Sequence, residues 1–377
     1  MAEPVELAGL GAQRRRLGPR IEQALVAVFH RGEFILGPEV ARLEEELARF
    51  CGVKHVVGCS SGTDALLLGL LVREVGPGDA VLVPAFTFAS TAEVVALLGA
   101  TPVFVDVRAD TFDLDAASLA AAADWATGAG LRPVGVIPVD LFGQPADYGA
   151  IGKIAAERDL FVLADAAQSL GATLDGRRVG SLADVTATSF FPAKPLGCYG
   201  DGGAVFTDDD DTADGLRSLR AHGRGAEKHD TVRIGINGRL DTLQAAVLLV
   251  KLEIFTDELA RRHDVAARYH EELDGVAELP AVRPGATSAW AQYTLRVHRR
   301  DELVSELRRV GIPTAVYYHR PLHRQGAFRR FPVAPGGLPV SERLAGEVVS
   351  LPMHPYLEPA AQDRVVAAVR AACGSER

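Results

Sequence analysis

Short apolar runs recur along the first half of the chain at His55–Gly58, Ala80–Val83, Pro102–Val105, Val134–Val139 and Leu160–Ala164. Between them lie segments whose apolar residues follow helical spacing: Thr63–Val72, Ser90–Leu98, Ala116–Ala123 and Tyr148–Glu157. Strands that alternate with helices in this way predict a mostly parallel sheet with helices on both faces. Gly76-Pro-Gly-Asp79 punctuates one helix-to-strand connection. Beyond Val185 the pattern changes. Thr186–Phe191 and Ala204–Thr207 read as two strands joined by a loop rich in proline and glycine, and a long helical stretch runs from about Leu240 to Leu273. The Asp208–Asp211 run reads as a solvated turn that starts a helix. The C-terminal part mixes strands (Gln292–Val297, Thr314–Tyr318) with helices (Asp301–Val310, Glu342–Val348, Pro359–Ala372), which predicts a smaller α+β domain. The expected division falls inside the long helix: residues 1–255 form an N-terminal segment and a large α/β domain, and residues 256–377 the small one.

Composition excludes several classes of function. With 48% hydrophobic and 24% charged residues the chain is of ordinary globular type. Its formal net charge of −9 argues against non-specific nucleic-acid binding, which needs a dense cationic face to displace counterions from phosphates. The longest apolar run, Ala65–Val72, is too short to span a bilayer. The basic cluster near the start is followed by no apolar stretch of the signal-peptide kind. Cys51, Cys59, Cys198 and Cys373 show neither paired metal-ligand spacing nor a disulfide framework. The histidines form no mixed cluster with carboxylates, so no metal site is expected. A cytoplasmic protein that binds neither membrane nor nucleic acid is the expectation.

Of the 40 basic residues only Lys54, Lys153, Lys194, Lys228 and Lys251 are lysines. Arginine cannot replace lysine where an amine must lose its proton and form a carbon–nitrogen bond. Lys194 stands out, because in Ser189-Phe-Phe-Pro-Ala-Lys-Pro-Leu-Gly-Cys-Tyr-Gly-Asp-Gly-Gly203 its neighbours are aromatic residues, prolines and glycines. Desolvation in such a setting lowers a lysine pKa and suits it to act as nucleophile or Schiff-base partner; the alternative is an incidental loop lysine.

Asp165 closes the apolar strand Leu160–Ala164, and ligands of open parallel sheets lie beyond the carboxyl ends of the strands. An acid there could hold a cationic ring nitrogen, or it could cap a helix. Cys59-Ser-Ser-Gly-Thr-Asp64 follows a strand and opens a helix. Gly62 would let a ligand approach the backbone and Thr63 would offer it a hydroxyl, the helix N-terminus favouring an anion; plain capping is the other reading. Phe88, in Pro84-Ala-Phe-Thr-Phe88, could stack on an aromatic ring or belong to the core. Asn237, in Gly235-Ile-Asn-Gly-Arg-Leu240, reads first as a helix cap and second as a ligand contact. Tyr317-Tyr-His-Arg-Pro-Leu-His323 reads as substrate recognition or as a polar turn. No phosphate-binding loop of the triphosphatase kind and no Gly-x-Gly-x-x-Gly after the first strand is present, which weakens both nucleotide readings. One ligand accounts for the anion site, the aromatic, the acid and the lysine together: a pyridine ring with a phosphate handle and an aldehyde, pyridoxal 5'-phosphate.

Ser61-Gly-Thr-Asp-Ala-Leu66, Pro84–Phe88, Asp165-Ala-Ala-Gln-Ser169, the Ser189–Gly203 loop and Asn237-Gly-Arg-Leu-Asp-Thr-Leu-Gln-Ala-Ala246 resemble the sugar aminotransferases of the DegT/DnrJ/EryC1/StrS family, from about Gly37 to Pro355. The resemblance implies an aspartate aminotransferase-like fold (fold type I) and a homodimer whose sites lie at the subunit interface. It implies that Lys194 bonds the cofactor, Asp165 pairs with the pyridine nitrogen, Gln168 contacts the phenolic oxygen and Phe88 stacks on the ring. Gly62, Thr63 and Ser189 would hold the phosphate, with Asn237 reaching it from the neighbouring subunit. Glutamate would convert the cofactor to pyridoxamine phosphate, and a keto group of a nucleotide-linked sugar would receive the amine. The lysine loop and Gly235–Gln244 are most similar to the branch that aminates UDP-2-acetamido-2-deoxy-3-oxo-glucuronate at C3, which makes Arg239 a candidate for the substrate carboxylate, with Tyr318 and His319 facing the sugar. Where that branch commonly carries His-Tyr-Pro, this chain has Tyr317-Tyr318-His319, which keeps C4 amination of a 4-keto-6-deoxy sugar, or amination of a keto-cyclitol, open. Dehydratases related to the family replace the lysine with histidine, and DNA-binding regulators carry more than the short Arg14–Arg16 cluster, so both fit this chain less well.

Overall fold

The computed structural model of the chain describes residues 4–227 and 230–374, so Lys228 lies outside the described residues. Two helices come first, α1 (Leu10–Arg31) and α2 (Pro38–Cys51). The alternation follows as β1 (His55–Cys59), α3 (Gly62–Val72), β2 (Asp79–Pro84), α4 (Ser90–Leu97), β3 (Thr101–Val105), α5 (Ala116–Gly128), β4 (Arg132–Val136), α6 (Tyr148–Glu157) and β5 (Phe161–Asp165). A small hairpin, β6 (Thr173–Leu174) and β7 (Arg177–Arg178), precedes β8 (Val185–Ser189), β9 (Gly203–Thr207), α7 (Asp210–Leu219) and the long helix α8 (Thr242–Leu273). The chain ends with β10 (Tyr293–Arg296), α9 (Arg300–Arg309), α10 (Pro339–Glu347), β11 (Val348–Leu351) and α11 (Pro359–Gly374).

Seven strands form one sheet in the order β1-β9-β8-β5-β4-β2-β3. Every pairing is parallel except those of β9, which runs antiparallel to β8 and to β1. The carboxyl ends of the other strands and the amino end of β9 therefore share one edge, and the site forms there. Val81, Leu82, Val83, Val103, Phe104 and Val105 are buried completely, as expected for strands covered on both faces. Side-chain oxygens start the covering helices: Ser61 accepts from the Asp64 amide for α3, Asp115 from Ser118 for α5, and Asp147 from Ala150 for α6. Asp209 caps α7, so the acidic run does start a helix.

The helix α8 bridges two cores. Ala245, Leu248 and Phe255 pack with Leu43, Leu47, Leu196 and Phe206 beside the sheet. Val265, Ala266, Tyr269 and Leu273 pack with Leu295, Leu303, Val349 and Val365 in a second cluster, which also takes in Val5. In this second region one expectation fails. Thr314–Tyr318 is not a strand; it makes a single bridge, Ala315 to Ser350, and Pro313 before it has no amide to donate. The strand that pairs with β10 is β11, because α10 stops at Glu347 and Val348-Val-Ser-Leu351 continues extended. Paired valines favour the pleated, half-covered surface over a helix end. Among the described residues no helix is long and apolar enough to cross a membrane.

Candidate active site

Asp165 ends β5 at 5% exposure. Its Oδ2 accepts from the Thr91 hydroxyl at 2.9 Å and its Oδ1 from the Ala167 amide at 3.3 Å. The residues that follow form a turn and no helix, so the capping reading of Asp165 falls away. Burial pushes the Asp165 carboxyl above the usual range, against the Thr91 bond, the Ala167 amide and Lys194. Lys194 is half-buried; desolvation lowers its pKa while Asp165 raises it. The two groups are thus within electrostatic reach, and a buried acid with a single cation beside it can accept a second cationic partner.

The lysine is presented by a compact turn. Its amide donates to Phe191 O at 2.9 Å, the Phe190 amide donates to Gly202 O, and the Cys198 amide returns to Phe190 O, both at 2.8 Å. A Cβ on Gly197 would lie 2.5 Å from Pro192 O and 2.6 Å from Phe191 O, so only glycine closes this turn. Across the edge, α3 begins at Gly62. Ser61 Oγ and Ser61 O take the Asp64 and Ala65 amides. Among the described residues the Gly62 and Thr63 amides have no acceptor in the chain. Ser61 thus caps the helix and leaves two of its amides open at the same terminus. A Cβ on Gly62 would collide with Ser189, and one on Gly203 would stand 2.3 Å from Ser61 O. Two free amides beside the Thr63 and Ser189 hydroxyls make a cradle that fits a phosphate.

Phe88 is 57% exposed, and its ring centroid lies 6.4 Å from that of Tyr318. An aromatic left open at a strand end fits a stacking partner better than a core position. Gln168 is buried; its Oε1 accepts from the Phe142 amide at 2.7 Å, and its side chain is hydrogen-bonded to Tyr318. Burial raises the Tyr318 hydroxyl pKa. His319, one residue on, is exposed. The segment before α8 runs beside β1: the Ser60 amide donates to Gly238 O at 3.0 Å, and Arg239 bridges Cys59. Asn237 is exposed there and does not cap α8, whose N-cap is Asp241. Arg239 is half-buried, and its Nε has no partner among the described residues. The sheet edge therefore gathers Gly62, Thr63, Phe88, Asp165, Gln168, Ser189, Lys194 and Tyr318, whereas Asn237 and His319 face outward on neighbouring segments.

Two supporting groups escaped the sequence reading. Thr91, on the first turn of α4, holds Asp165. Asp140, beyond β4, is completely buried: its Oδ2 accepts from Ser169 at 2.6 Å, and its Oδ1 from the Ala146 amide and the Tyr148 hydroxyl, both at 2.8 Å. Its own amide donates to Asp165 O at 3.0 Å. Asp140 carries the same signal as Asp165, an acid at the end of an apolar run, and could have been found by it.

This sheet with this edge defines a fold type I pyridoxal-phosphate-dependent transferase. The profile of the DegT/DnrJ/EryC1/StrS aminotransferase family matches residues 16–370, and the chain belongs to that family. It is a pyridoxal-phosphate-dependent aminotransferase of nucleotide-linked sugars. The chain is 46% identical to the UDP-2-acetamido-2-deoxy-3-oxo-D-glucuronate aminotransferase of Pseudomonas aeruginosa, over 97% of this chain and 99% of that one. A family aminotransferase from Brucella abortus superposes with a TM-score of 0.97 at 51% identity, covering 98% of this chain and 99% of that one. DesV of S. venezuelae, solved with a ketimine intermediate, superposes with a TM-score of 0.93 at 38% identity over 100% of both chains.

Proposed function

We propose that this protein moves the amino group of L-glutamate to the C3 keto carbon of a UDP-2-acetamido-3-oxo sugar of the glucuronate type, working as a cytoplasmic homodimer. Near-full-length similarity to the Pseudomonas aeruginosa enzyme carries the choice of substrate. Arg239 supports it, since a guanidinium with an unpaired Nε suits a substrate carboxylate.

Bound pyridoxal phosphate supplies an aldehyde to receive the amine and a protonated ring to take up the electron pair released at the substrate carbon. Asp165 would keep the proton on the ring nitrogen, with Thr91 and the Ala167 amide fixing the carboxylate. The Gly62 and Thr63 amides with Ser189 would hold the phosphate, Phe88 would cover the ring and Gln168 would reach its phenolic oxygen. Lys194 Nζ, its ammonium disfavoured by desolvation, would then carry the proton between cofactor and substrate carbons. The dimer is supported by exposed apolar side chains: Phe191 in the lysine loop, Ile234 before Asn237, and Phe29, Ile35 and Leu36 near the start.

The test is a panel of UDP- and dTDP-linked keto sugars offered to enzyme preloaded with glutamate. C3 amination of the UDP-linked 3-oxo-glucuronate is the expected result. Turnover confined to 4-keto-6-deoxy sugars or keto-cyclitols would replace it with the alternative.

A further inference from the structure

Lys251, on α8, is buried completely. Its Nζ donates to Gly197 O at 2.5 Å and stands 4.1 Å from the centre of the Tyr199 ring. Among the described residues no carboxylate pairs with it; Glu258, which acts on it from farther along the helix, is engaged by Gln13 and Tyr356. A buried ammonium without an ion pair is costly, and an apolar side chain would fill the same space with less penalty. Burial lowers its pKa to about 8, against Glu258 and Cys198, so the ammonium form persists at neutral pH.

The contacts show what this cation holds. Gln244 lies two turns earlier on the same face of α8; its Oε1 accepts from the Tyr199 amide at 2.9 Å and its Nε2 donates to Tyr199 O at 3.3 Å. The helix therefore grips the turn at both Gly197 and Tyr199. Gly197 is in turn pressed against Phe191 O and Pro192 O, and Phe191 O receives the Lys194 amide. Displacing Gly197 displaces the backbone that presents Lys194.

We propose that Lys251 is a positioning residue for Lys194: its ammonium, seated between the Gly197 carbonyl and the Tyr199 ring, fixes the turn that delivers the Lys194 amine to the sheet edge. The inference rests on the reading of Lys194 as the residue that bonds the cofactor. It also accounts for a lysine in a chain that otherwise prefers arginine, since a guanidinium is broader than this seat.

The experiment compares full-length wild type, Lys251→Met and Val265→Ala. Val265 is a control on the same helix, buried in the second core, which holds no residue of the lysine loop. Amide hydrogen exchange at Cys198 and Tyr199 is followed, together with the pH midpoint of the lysine-linked cofactor band. Lys251→Met should speed exchange by about tenfold and move the midpoint by about one unit, as expected when a reacting amine loses its alignment. Val265→Ala should lower the melting temperature and change neither. If Lys251→Met lowers only the melting temperature, the side chain is structural and the proposal fails. If the wild type shows no lysine-linked band, the cofactor reading fails instead, while the exchange comparison still decides whether Lys251 holds the turn. Should Lys251→Met not fold, Lys251→Gln serves under the same criteria.

Discussion

A methyl group on Gly62 would stand 2.6 Å from the Cβ of Ser189, so the first turn of α3 and the end of β8 meet with no side chain between them. That contact would set the width of the proposed phosphate cradle. Gly62→Ala must push the two apart, and overpacking of this kind costs about 1–3 kcal/mol. Titrating cofactor-free protein with pyridoxal phosphate should show affinity weakened by about tenfold or more, with secondary structure unchanged. Unaltered affinity would remove Gly62 from the phosphate site.

Asp165 is predicted to serve rate more than binding. Phosphate and stacking contacts survive in Asp165→Asn, whereas the negative charge that holds a proton on the ring nitrogen is lost. Turnover should fall by about a hundredfold or more while the purified protein still carries cofactor. Loss of cofactor with little change in the turnover of whatever remains loaded would contradict the role.

Asp140 makes a pH-dependent prediction. Burial pushes its carboxyl up to about 7, against the bonds from Ser169, the Ala146 amide and Tyr148, and the neighbouring Asp165 pushes it further in the same direction. A carboxyl whose folded pKa lies above its unfolded value, about 3.9, stabilises the fold fully below that value, and the contribution is lost as pH rises through about 7. Asp140→Asn does not titrate. Denaturant unfolding should therefore show the variant gaining on wild type from about pH 4 to about pH 7, with a constant gap above that. A gap independent of pH would mean that folding leaves the Asp140 pKa unshifted.

The proposed sharing of sites between subunits predicts complementation. Lys194→Ala and Asn237→Ala homodimers should each be impaired. A mixed dimer pairs the intact Lys194 of one chain with the intact Asn237 of the other at one of its two sites. Refolding the two variants together should restore about a quarter of wild-type turnover, since half the dimers are mixed and each has one whole site. No recovery would place Lys194 and Asn237 in the same subunit's site.

The strand ends that carry Gly62, Phe88, Asp165 and Ser189 were legible because a parallel sheet sends every such end to one edge, and apolar runs mark the strands. The β11 strand was not, because Val348-Val-Ser-Leu351 has meaning only beside β10, a pairing that local pattern cannot show. Asn237 reads as a cap from sequence, yet it bridges Ala221, and Arg239 bridges Cys59 beside it, before α8 begins at its N-cap Asp241. Lys251 was invisible as a partner of the lysine loop: its position within a helical repeat says core, and only the close approach of α8 to Gly197 gives the buried ammonium a purpose. Of the other lysines within the described residues, Lys54 pairs with Asp210 on the surface and Lys153 is exposed.

The central claim is that Lys194 bonds the cofactor and releases it when an amino donor arrives. Cofactor-loaded protein reduced with borohydride, digested and weighed tests this directly. The pyridoxyl group should appear on the peptide that contains Lys194, and glutamate added before reduction should abolish it. A label on another lysine, Lys251 included, or a label on Lys194 that glutamate leaves in place, would contradict the account.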